Sequence, residues 1–215
     1  MGIESSDASS APIADFTIFV PSRARISVRG AATTVDIRNF AGTVDASTLS
    51  GRIRINGAVS EITAETMDGD LEIEASPGYL RGKTATGRIT WTGSSDDVSL
   101  STVSGTIAVT ASTLYRARLE SVSGDLKFTG TVKPAGHVGF DTHGGDITAS
   151  LTQATIADLI VEAPSRNLLG SVSMTAPGKV SQTQMGVPRG APRGTTHPAE
   201  LTLRSFKGKV TVTQP

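Results

Sequence analysis

The 215-residue chain contains 37% apolar residues, only 4% aromatic residues, 23 glycines and no cysteine. Its formal net charge is +0 at pH 7, so no overall field favours nucleic acid or an anionic membrane. No apolar run reaches the roughly 18 residues of a transmembrane helix, and without cysteine neither a disulfide nor a thiolate metal site can form.

The first fifteen residues, 1–15, are small and polar and predict a flexible lead-in. They contain no signal-peptide pattern, and we expect any leader or membrane anchor to lie upstream of this sequence. Phe16, Ile18 and Val20 then alternate as in a β-strand. We expect this strand to cover the first coil of the repeat that follows, because an open terminal edge invites pairing with another chain.

From Ile26 to Val109 the chain repeats every nine residues, with a turn former, then an apolar residue, a polar residue and a second small or apolar residue. Alternate residues of a strand point to the same side, so both members of each pair face one side of a short strand. The glycine that usually precedes the pair predicts a position with positive φ. The pairs are Ile26 and Val28, Val35 and Ile37, Val44 and Ala46, Ile53 and Ile55, Ile62 and Ala64, Leu71 and Ile73, Leu80 and Gly82, Ile89 and Trp91, Val98 and Leu100, and Ile107 and Val109.

A second period of eighteen residues is superimposed on the first. It is carried by a turn motif that occurs as Thr48-Leu49-Ser50-Gly51, Thr66-Met67-Asp68-Gly69, Thr84-Ala85-Thr86-Gly87 and Thr102-Val103-Ser104-Gly105. Two nine-residue units therefore form one coil, and coils stacked about 4.8 Å apart predict an all-β, single-domain β-solenoid, or β-helix, with two short strands per coil and capped ends. Such stacking places Arg52 beside Asp70 and Arg54 beside Glu72, which predicts solvated charge ladders and not an active site.

After Val109 the spacing lengthens in places, as repeat proteins tolerate in their turns, but the pattern continues. The turn motif returns as Ser121-Val122-Ser123-Gly124, Thr142-His143-Gly144-Gly145 and Ser205-Phe206-Lys207-Gly208, and we expect the last copy to close the stack. The range 178–199 has three prolines and little apolar periodicity, which predicts a long Pro/Gly-rich loop within the domain 16–215. Further pairs are Ala117 and Leu119, Leu126 and Phe128, Val138 and Phe140, Ile147 and Ala149, Leu159 and Val161, Val172 and Met174, Leu201 and Leu203, and Val210 and Val212.

The opening strand at Phe16, the repeated Thr-x-Ser-Gly turn and the closing copy up to Val212 resemble a bacterial adhesin family of β-strand-repeat domains, which is similar to the head domain of auto-transporter adhesins. The resemblance covers roughly 16–212. It implies a β-solenoid in a cell-envelope or extracellular setting, and it supplies no catalytic residues. The Pro/Gly-rich loop departs from the regular repeat of that family.

Residues that could carry chemistry are few and scattered. His137, His143 and His197 are widely spaced, and a thin metal site of His143 with Asp125 or Asp146 is the less favoured alternative to a turn histidine. Asp96 and Asp97, the adjacent acidic pair, should point apart or into water, and Trp91 should lie in the core. We therefore expect no catalytic, cofactor-binding or metal-binding residues, and no cofactor.

One basic cluster in the predicted loop is a candidate partner-binding site. Lys179, Arg189, Arg193 and His197 fall within or beside a doubled Pro-Arg-Gly sequence. The plainer interpretation is a solvated loop, and the alternative is a site for an acidic protein or an anionic glycan.

The sequence favours a non-enzymatic envelope or secreted domain, adhesin-like, whose flat Thr/Ser-lined ladders bind an unknown glycan or protein partner. A structural alternative is end-to-end assembly into filaments, as in bactofilin-type solenoids, although a monomer is favoured. An enzyme is disfavoured because the six-residue apolar period of acyltransferase solenoids fails, with Glu65 twelve residues after Ile53, and because acidic calcium clusters are not seen.

Overall fold

A computed structural model describes residues 16–152, 157–163, 168–170, 179–185 and 198–214. This part of the chain is built of strands and turns without a helix, so it contains no helix that could cross a membrane. The strands are β1 Arg25–Ala32, β2 Val35–Phe40, β3 Thr43–Ser50, β4 Ile53–Gly57, β5 Glu61–Asp68, β6 Leu71–Ala75, β7 Tyr79–Lys83, β8 Ile89–Thr102, β9 Ile107–Ser121, β10 Leu126–Thr142, β11 Ile147–Leu151, β12 Ala157–Glu162, β13 Leu168–Gly170, β14 Lys179–Met185, β15 Ala199–Ser205 and β16 Val210–Thr213.

The strands form a β-solenoid with two faces, each built mainly of parallel strands, which confirms the predicted fold. Face 1 contains β1, β3, β5, β7 and the second halves of β8, β9 and β10. Face 2 contains β2, β4, β6 and the first halves of β8, β9 and β10. Successive coils are eighteen residues apart: Ile53 pairs with Leu71, and Leu71 pairs with Ile89.

The core is the space between the two faces, and it is filled by the apolar pairs of the nine-residue repeat. Five neighbouring members of these pairs are each 0–1% exposed: Ile53, Ile55, Leu71, Ile73 and Ile89. Burial of each such side chain contributes about 1.5–3 kcal/mol relative to its exposed state, so the narrow interior supplies the main driving force. Trp91 is fully buried as predicted, and its Nε1 donates a hydrogen bond to the carbonyl oxygen of Ala75 at 3.0 Å.

The turn motif joins neighbouring coils through its first and last residues. The Thr102 hydroxyl accepts a hydrogen bond from the backbone N–H of Gly105 at 3.0 Å and donates one to the carbonyl of Ala85 in the previous coil at 3.3 Å. The glycines stack so closely that a Cβ on Gly105 would lie 1.7 Å from the carbonyl oxygen of Gly87. Among the motif glycines, positive φ occurs only at Gly51, so close approach and not φ is the main reason for glycine in this column.

The order of the coils departs from the order of the sequence at the C-terminal end. β15 lies between β10 and β12, and β16 lies between β11 and β13, so the last coil in sequence is inserted one position before the end. The expectation that this copy closes the stack was therefore wrong. The physical reason is the turn motif: Gly208 stacks on Gly145, whereas Ala163, directly after β12, is followed in sequence by no such motif.

The predicted loop at 178–199 is also partly structured. Lys179–Met185 forms β14, which pairs antiparallel with β12 at the outer end of face 1. The apolar periodicity of this segment is weak, but the segment still forms a strand, because pairing with β12 satisfies the backbone hydrogen-bonding groups along the edge of β12. Of the predicted pairs, Leu159 and Val161 are buried in β12, whereas Val172 and Met174 lie outside the described residues.

The expected covering strand at the N-terminal end is not formed. Residues 16–20 have no regular structure, and Phe16, Ile18 and Phe19 are 65–93% exposed. The structure therefore contradicts the prediction of a capped first coil. Within the described residues the outer edge of β1 has no partner strand, and Ile26 is only half-buried.

Candidate functional site

The predicted basic site is largely untested by the structure. Lys179 is the first residue of β14, and its backbone pairs with that of Glu162. Arg189, Arg193 and His197 lie outside the described residues. The grouping of these four side chains thus stays a prediction.

One corner of the solenoid carries a continuous row of outward side chains, which we call the corner row. They occupy the second position of each turn motif: Leu49, Met67, Ala85, Val103, Val122, His143 and Phe206. Backbone hydrogen bonds hold consecutive members in line, for example from the N–H of Ala85 to the carbonyl of Met67 at 3.1 Å, and from the N–H of Val103 to the carbonyl of Ala85 at 3.1 Å. The row is thus fixed by the same ladder that holds the coils together.

The corner row is exposed although most of its members are apolar. Leu49, Met67, Val103, Val122 and Phe206 have exposed fractions between 53% and 68%. Contiguous apolar surface of this kind often marks an interaction site, whereas single exposed apolar residues need no explanation. The turn threonines and serines, in contrast, are 2–8% exposed, so their hydroxyls hold the coils together and are not available to a ligand.

A shallow groove of about 690 Å³ runs along one side of the corner row, from Leu49 to Val103. Its other side is formed by Arg29, Ser47, Glu65, Lys83 and Ser101, which belong to one outward column of face 1. From Ser47 onward, the residues of this column lie two positions before the corner residues. We call this column the flanking row; its order along the stack is Arg29, Ser47, Glu65, Lys83, Ser101, Glu120, Asp141 and Arg204. The groove thus has one apolar side and one charged side.

The C-terminal end of the corner row is aromatic. The rings of His143 and Phe206 stack with centroids 4.9 Å apart and planes 13° apart. Beside them lies a second cavity of about 430 Å³, bordered by Asp141, Glu162 and Arg204. Arg204 and Glu162 form an ion pair at 3.2 Å. His143 and Phe206 are far apart in sequence and meet only because the last coil is inserted next to β10.

The acidic residues near His143 are committed to the backbone of the next coil. A carboxylate oxygen of Asp125 accepts a hydrogen bond from the N–H of Asp146 at 3.0 Å, and one of Asp146 accepts a hydrogen bond from the N–H of Lys209 at 2.8 Å. In the part of the chain that the structure describes, no group of three or more histidine, aspartate or glutamate residues could hold a metal ion. His143 instead belongs to the aromatic end of the corner row.

The other charged residues form exposed ladders on the outer faces, as predicted. Glu72 lies 3.5 Å from Arg52 and 3.9 Å from Arg54. A hydrogen bond from Arg38 holds the pKa of Asp36 below its usual value, and the charges of Arg38 and Arg54 act in the same direction. Exposed pairs of this kind are screened by solvent, so each of them contributes little to the stability of the stack.

The two adjacent aspartates do not form an acid–base pair. Asp96 binds the ammonium group of Lys133 at 2.8 Å, whereas Asp97 binds Arg116 at 3.1 Å. Their carboxylates thus serve different cationic partners on the surface, in agreement with the prediction that the two side chains point apart.

Comparison with known proteins identifies the family. A family model described as Toastrack DUF4097 matches residues 41–212, which is most of the chain. The chain belongs to the Toastrack DUF4097 family. No curated protein and no solved structure matches it.

The Toastrack match agrees with the expected β-repeat solenoid, whereas the finer relation to bacterial adhesins stays a prediction. The matched family is a domain family of unknown function. A role for this chain must therefore be inferred from the residues on its surface. The corner row was missed in the sequence because its residues were assigned to a turn. The available signal was an apolar residue at the second position of a motif whose outer residues were expected to face water, as at Met67 and Val103.

Proposed function

We propose that this Toastrack domain is a non-enzymatic interaction module, adhesin-like, that acts in the cell envelope or outside the cell. Its binding site for a glycan or protein partner would be the aromatic end of the corner row. The observation that carries the proposal is the stacked pair of His143 and Phe206, with Phe206 68% exposed beside the charged residues of the second cavity.

The chemistry of this end suits either a sugar ring or an apolar side chain of a protein. Phe206 offers a large apolar surface, which aromatic residues bring to many interfaces. Asp141 and Arg204 lie beside it and can accept and donate hydrogen bonds around the rim. A site with an aromatic centre and a polar rim orients its ligand without needing a reactive group.

A binding role is also supported by the contacts that the acidic side chains near the site make. Carboxylates near the site accept hydrogen bonds from backbone N–H groups, as Asp125 and Asp146 do, or take part in exposed ion pairs, as Glu162 does. Each of these contacts stabilises the stack or its surface. The carboxylate oxygens are thus engaged in holding the domain together, which favours a binding role for this end of the corner row over acid–base chemistry.

The test compares the binding of labelled Phe206→Ser and wild-type protein to a glycan array and to bacterial cells with and without protease treatment. We expect at least a tenfold loss of binding for Phe206→Ser. The matched control is Phe19→Ser, which removes a 93% exposed phenylalanine far from the site and should bind like the wild type. Protease sensitivity assigns the partner to a protein, and binding to the array assigns it to a glycan. Equal binding by both variants and the wild type would exclude this site.

A second candidate function, end-to-end assembly into filaments, is favoured by one observation. The outer edge of β1 has no partner among the described residues, and a strand edge of this kind can pair with another chain. Light scattering and electron microscopy of concentrated protein test this candidate. Oligomers that keep growing with concentration would support it, whereas a constant small particle would exclude it.

A further inference from the structure

The order of charges in the flanking row is self-complementary. Around the midpoint between Glu65 and Lys83, the row contains an acidic and a basic residue, then Ser47 and Ser101, then Arg29 and Glu120. Each position on one side of the midpoint thus has a residue of opposite charge, or a second serine, at the same distance on the other side. Such a pattern is what a two-fold axis through that midpoint requires of a surface that contacts its own copy.

The required symmetry operation is compatible with the fold. A two-fold axis that lies along the strand direction turns face 1 over onto a second copy and reverses the order of the coils. Each outward column then meets the same column of the partner, with the coils in the opposite order. Glu65 would lie against the partner's Lys83, Ser47 against the partner's Ser101, and Arg29 against the partner's Glu120.

The side-chain sizes in the corner row are also compatible with this two-fold axis. Its four members along the groove are Leu49, Met67, Ala85 and Val103, and their midpoint falls between Met67 and Ala85. The two-fold axis therefore places the long Met67 side chain against the partner's Ala85, whose side chain is small, and places Leu49 against the partner's Val103. Alternation of large and small side chains across an interface allows close packing.

We propose that the protein forms a two-fold symmetric dimer through the groove between the corner row and the flanking row. The contact would extend from Arg29 to Glu120, about 24 Å along the stack at the spacing of neighbouring strands. It would bury apolar corner residues that are now more than half exposed, and within the flanking row it would form unlike-charge contacts on both sides of the axis. The column four residues before the flanking row would place Arg25 near the partner's Arg116, so the unlike-charge contacts are confined to the flanking row. The sequence alone favours a monomer, because the opening strand and the closing copy of the turn motif are expected to cover the two ends of the stack.

The dimer leaves the proposed partner-binding site free. His143 and Phe206 lie beyond the end of the paired stretch, so dimerisation would present two aromatic sites at once, and two linked sites strengthen binding to a repeated ligand. The dimer does not depend on the proposed function, because it involves other residues. Phe206→Ser is therefore expected to dimerise like the wild type, and the two proposals can fail separately.

Another register also pairs unlike charges, with the axis between Ser101 and Glu120. It would place Arg204 against the partner's Glu65. Existing ion pairs do not separate the two registers, because Arg204 pairs with Glu162 at 3.2 Å and Glu65 pairs with Arg81 at 3.6 Å. It would also cover the aromatic end of the corner row and would not be centred on the groove. We therefore favour the axis between Glu65 and Lys83, and charge exchange at these two residues separates the registers.

The test is sedimentation velocity of the full chain and its variants over about 1–200 µM, a range that brackets affinities of weak and moderate dimers. The wild type should change with concentration from the monomer of 22.2 kDa to the dimer. Glu65→Lys and Lys83→Glu should each weaken dimerisation about tenfold or more, because each places like charges together twice. Lys127→Glu, a charge reversal on face 2, is the matched control and should dimerise normally.

Two combinations provide the decisive results. The double variant Glu65→Lys/Lys83→Glu restores unlike charges across the proposed axis, so it should dimerise like the wild type. A mixture of the two single variants should form a heterodimer that neither variant forms with itself. The proposal is overturned by a wild type that stays monomeric over the whole range, by a double variant that fails to recover, or by equal effects of Lys127→Glu and Lys83→Glu.

Discussion

Replacement of Gly105 by alanine tests the stacking of the turn motifs. A Cβ at this position would lie 1.7 Å from the carbonyl oxygen of Gly87 and 3.0 Å from the Thr102 hydroxyl. The nearest clash involves backbone, so it cannot be relieved by rotation of a side chain. To reach an ordinary contact of about 3.2 Å, the two turns must move apart by about 1.5 Å.

This displacement sets the expected magnitude. Overpacking of a close contact costs about 1–3 kcal/mol. The shift would also weaken the neighbouring hydrogen bonds of the stack, such as that from the N–H of Val103 to Ala85, each worth about 1 kcal/mol. We expect Gly105→Ala to lower the free energy of unfolding by about 3–5 kcal/mol, equivalent to a fall in Tm of roughly 6–20 °C for a chain of this length.

The assay is urea and thermal unfolding followed by far-UV circular dichroism, with Gly139→Ala as the matched control. Gly139 lies in β10, and no atom lies within 4 Å of the position of its Cβ. Its φ is not positive, so alanine there should be neutral or should stabilise the protein by about 0.5–1 kcal/mol. If Gly105→Ala and Gly139→Ala unfold at the same urea concentration, the proposed close contact between turns is wrong.

Three further predictions concern single side chains. Trp91→Phe removes the hydrogen bond to Ala75 and part of the core volume, so the free energy of unfolding should fall by about 1–3 kcal/mol in urea titrations. Phe206→Ala should change the free energy of unfolding by less than about 0.5 kcal/mol, because the side chain is exposed, and a larger loss in the same titration would show that Phe206 is structural. Arg38→Gln removes the hydrogen bond that lowers the pKa of Asp36, so this pKa should rise toward its ordinary value in an NMR titration. A lowered carboxyl pKa stabilises the fold above the unfolded-state pKa, and this effect is lost as pH falls through the folded-state pKa. The variant should therefore be slightly less stable than the wild type near neutral pH, and the difference should disappear in acid; an unchanged titration of Asp36 would contradict the assignment.

The regular part of the fold could be predicted because two periods in the sequence determine it. Residues two apart face one side of a strand, and the pairs recur at nine and eighteen residues, so the inward position of Ile53 or Leu71 follows from counting alone. The solvated ladders follow for the same reason, since Arg54 and Glu72 are one coil apart. Local periodicity and a fixed coil length therefore give both the core and the outer faces.

The order of the last coils could not be read from the same counting. Periodicity indicates which residues face inward, but it does not state which coil stacks on which when the spacing is interrupted. The difference lies in the turn motif, because Gly208 stacks closely on Gly145, whereas the sequence directly after Ala163 does not contain the motif. The candidate site was missed for this reason too, since His143 and Phe206 become neighbours only through the inserted coil.

The inserted coil is the central claim, because the aromatic site exists only if β16 lies beside β11. Engineered disulfides test it directly in a chain that has no cysteine of its own. Thr148 pairs with Thr211, and Thr211 pairs with Leu169, so Thr148 and Leu169 are two strands, or about 10 Å, apart. A disulfide requires Cα atoms within about 7 Å. Oxidation should therefore link Thr148→Cys to Thr211→Cys and leave the Thr148→Cys/Leu169→Cys variant unlinked, whereas the opposite result would show that the coils stack in sequence order and that the site is not formed.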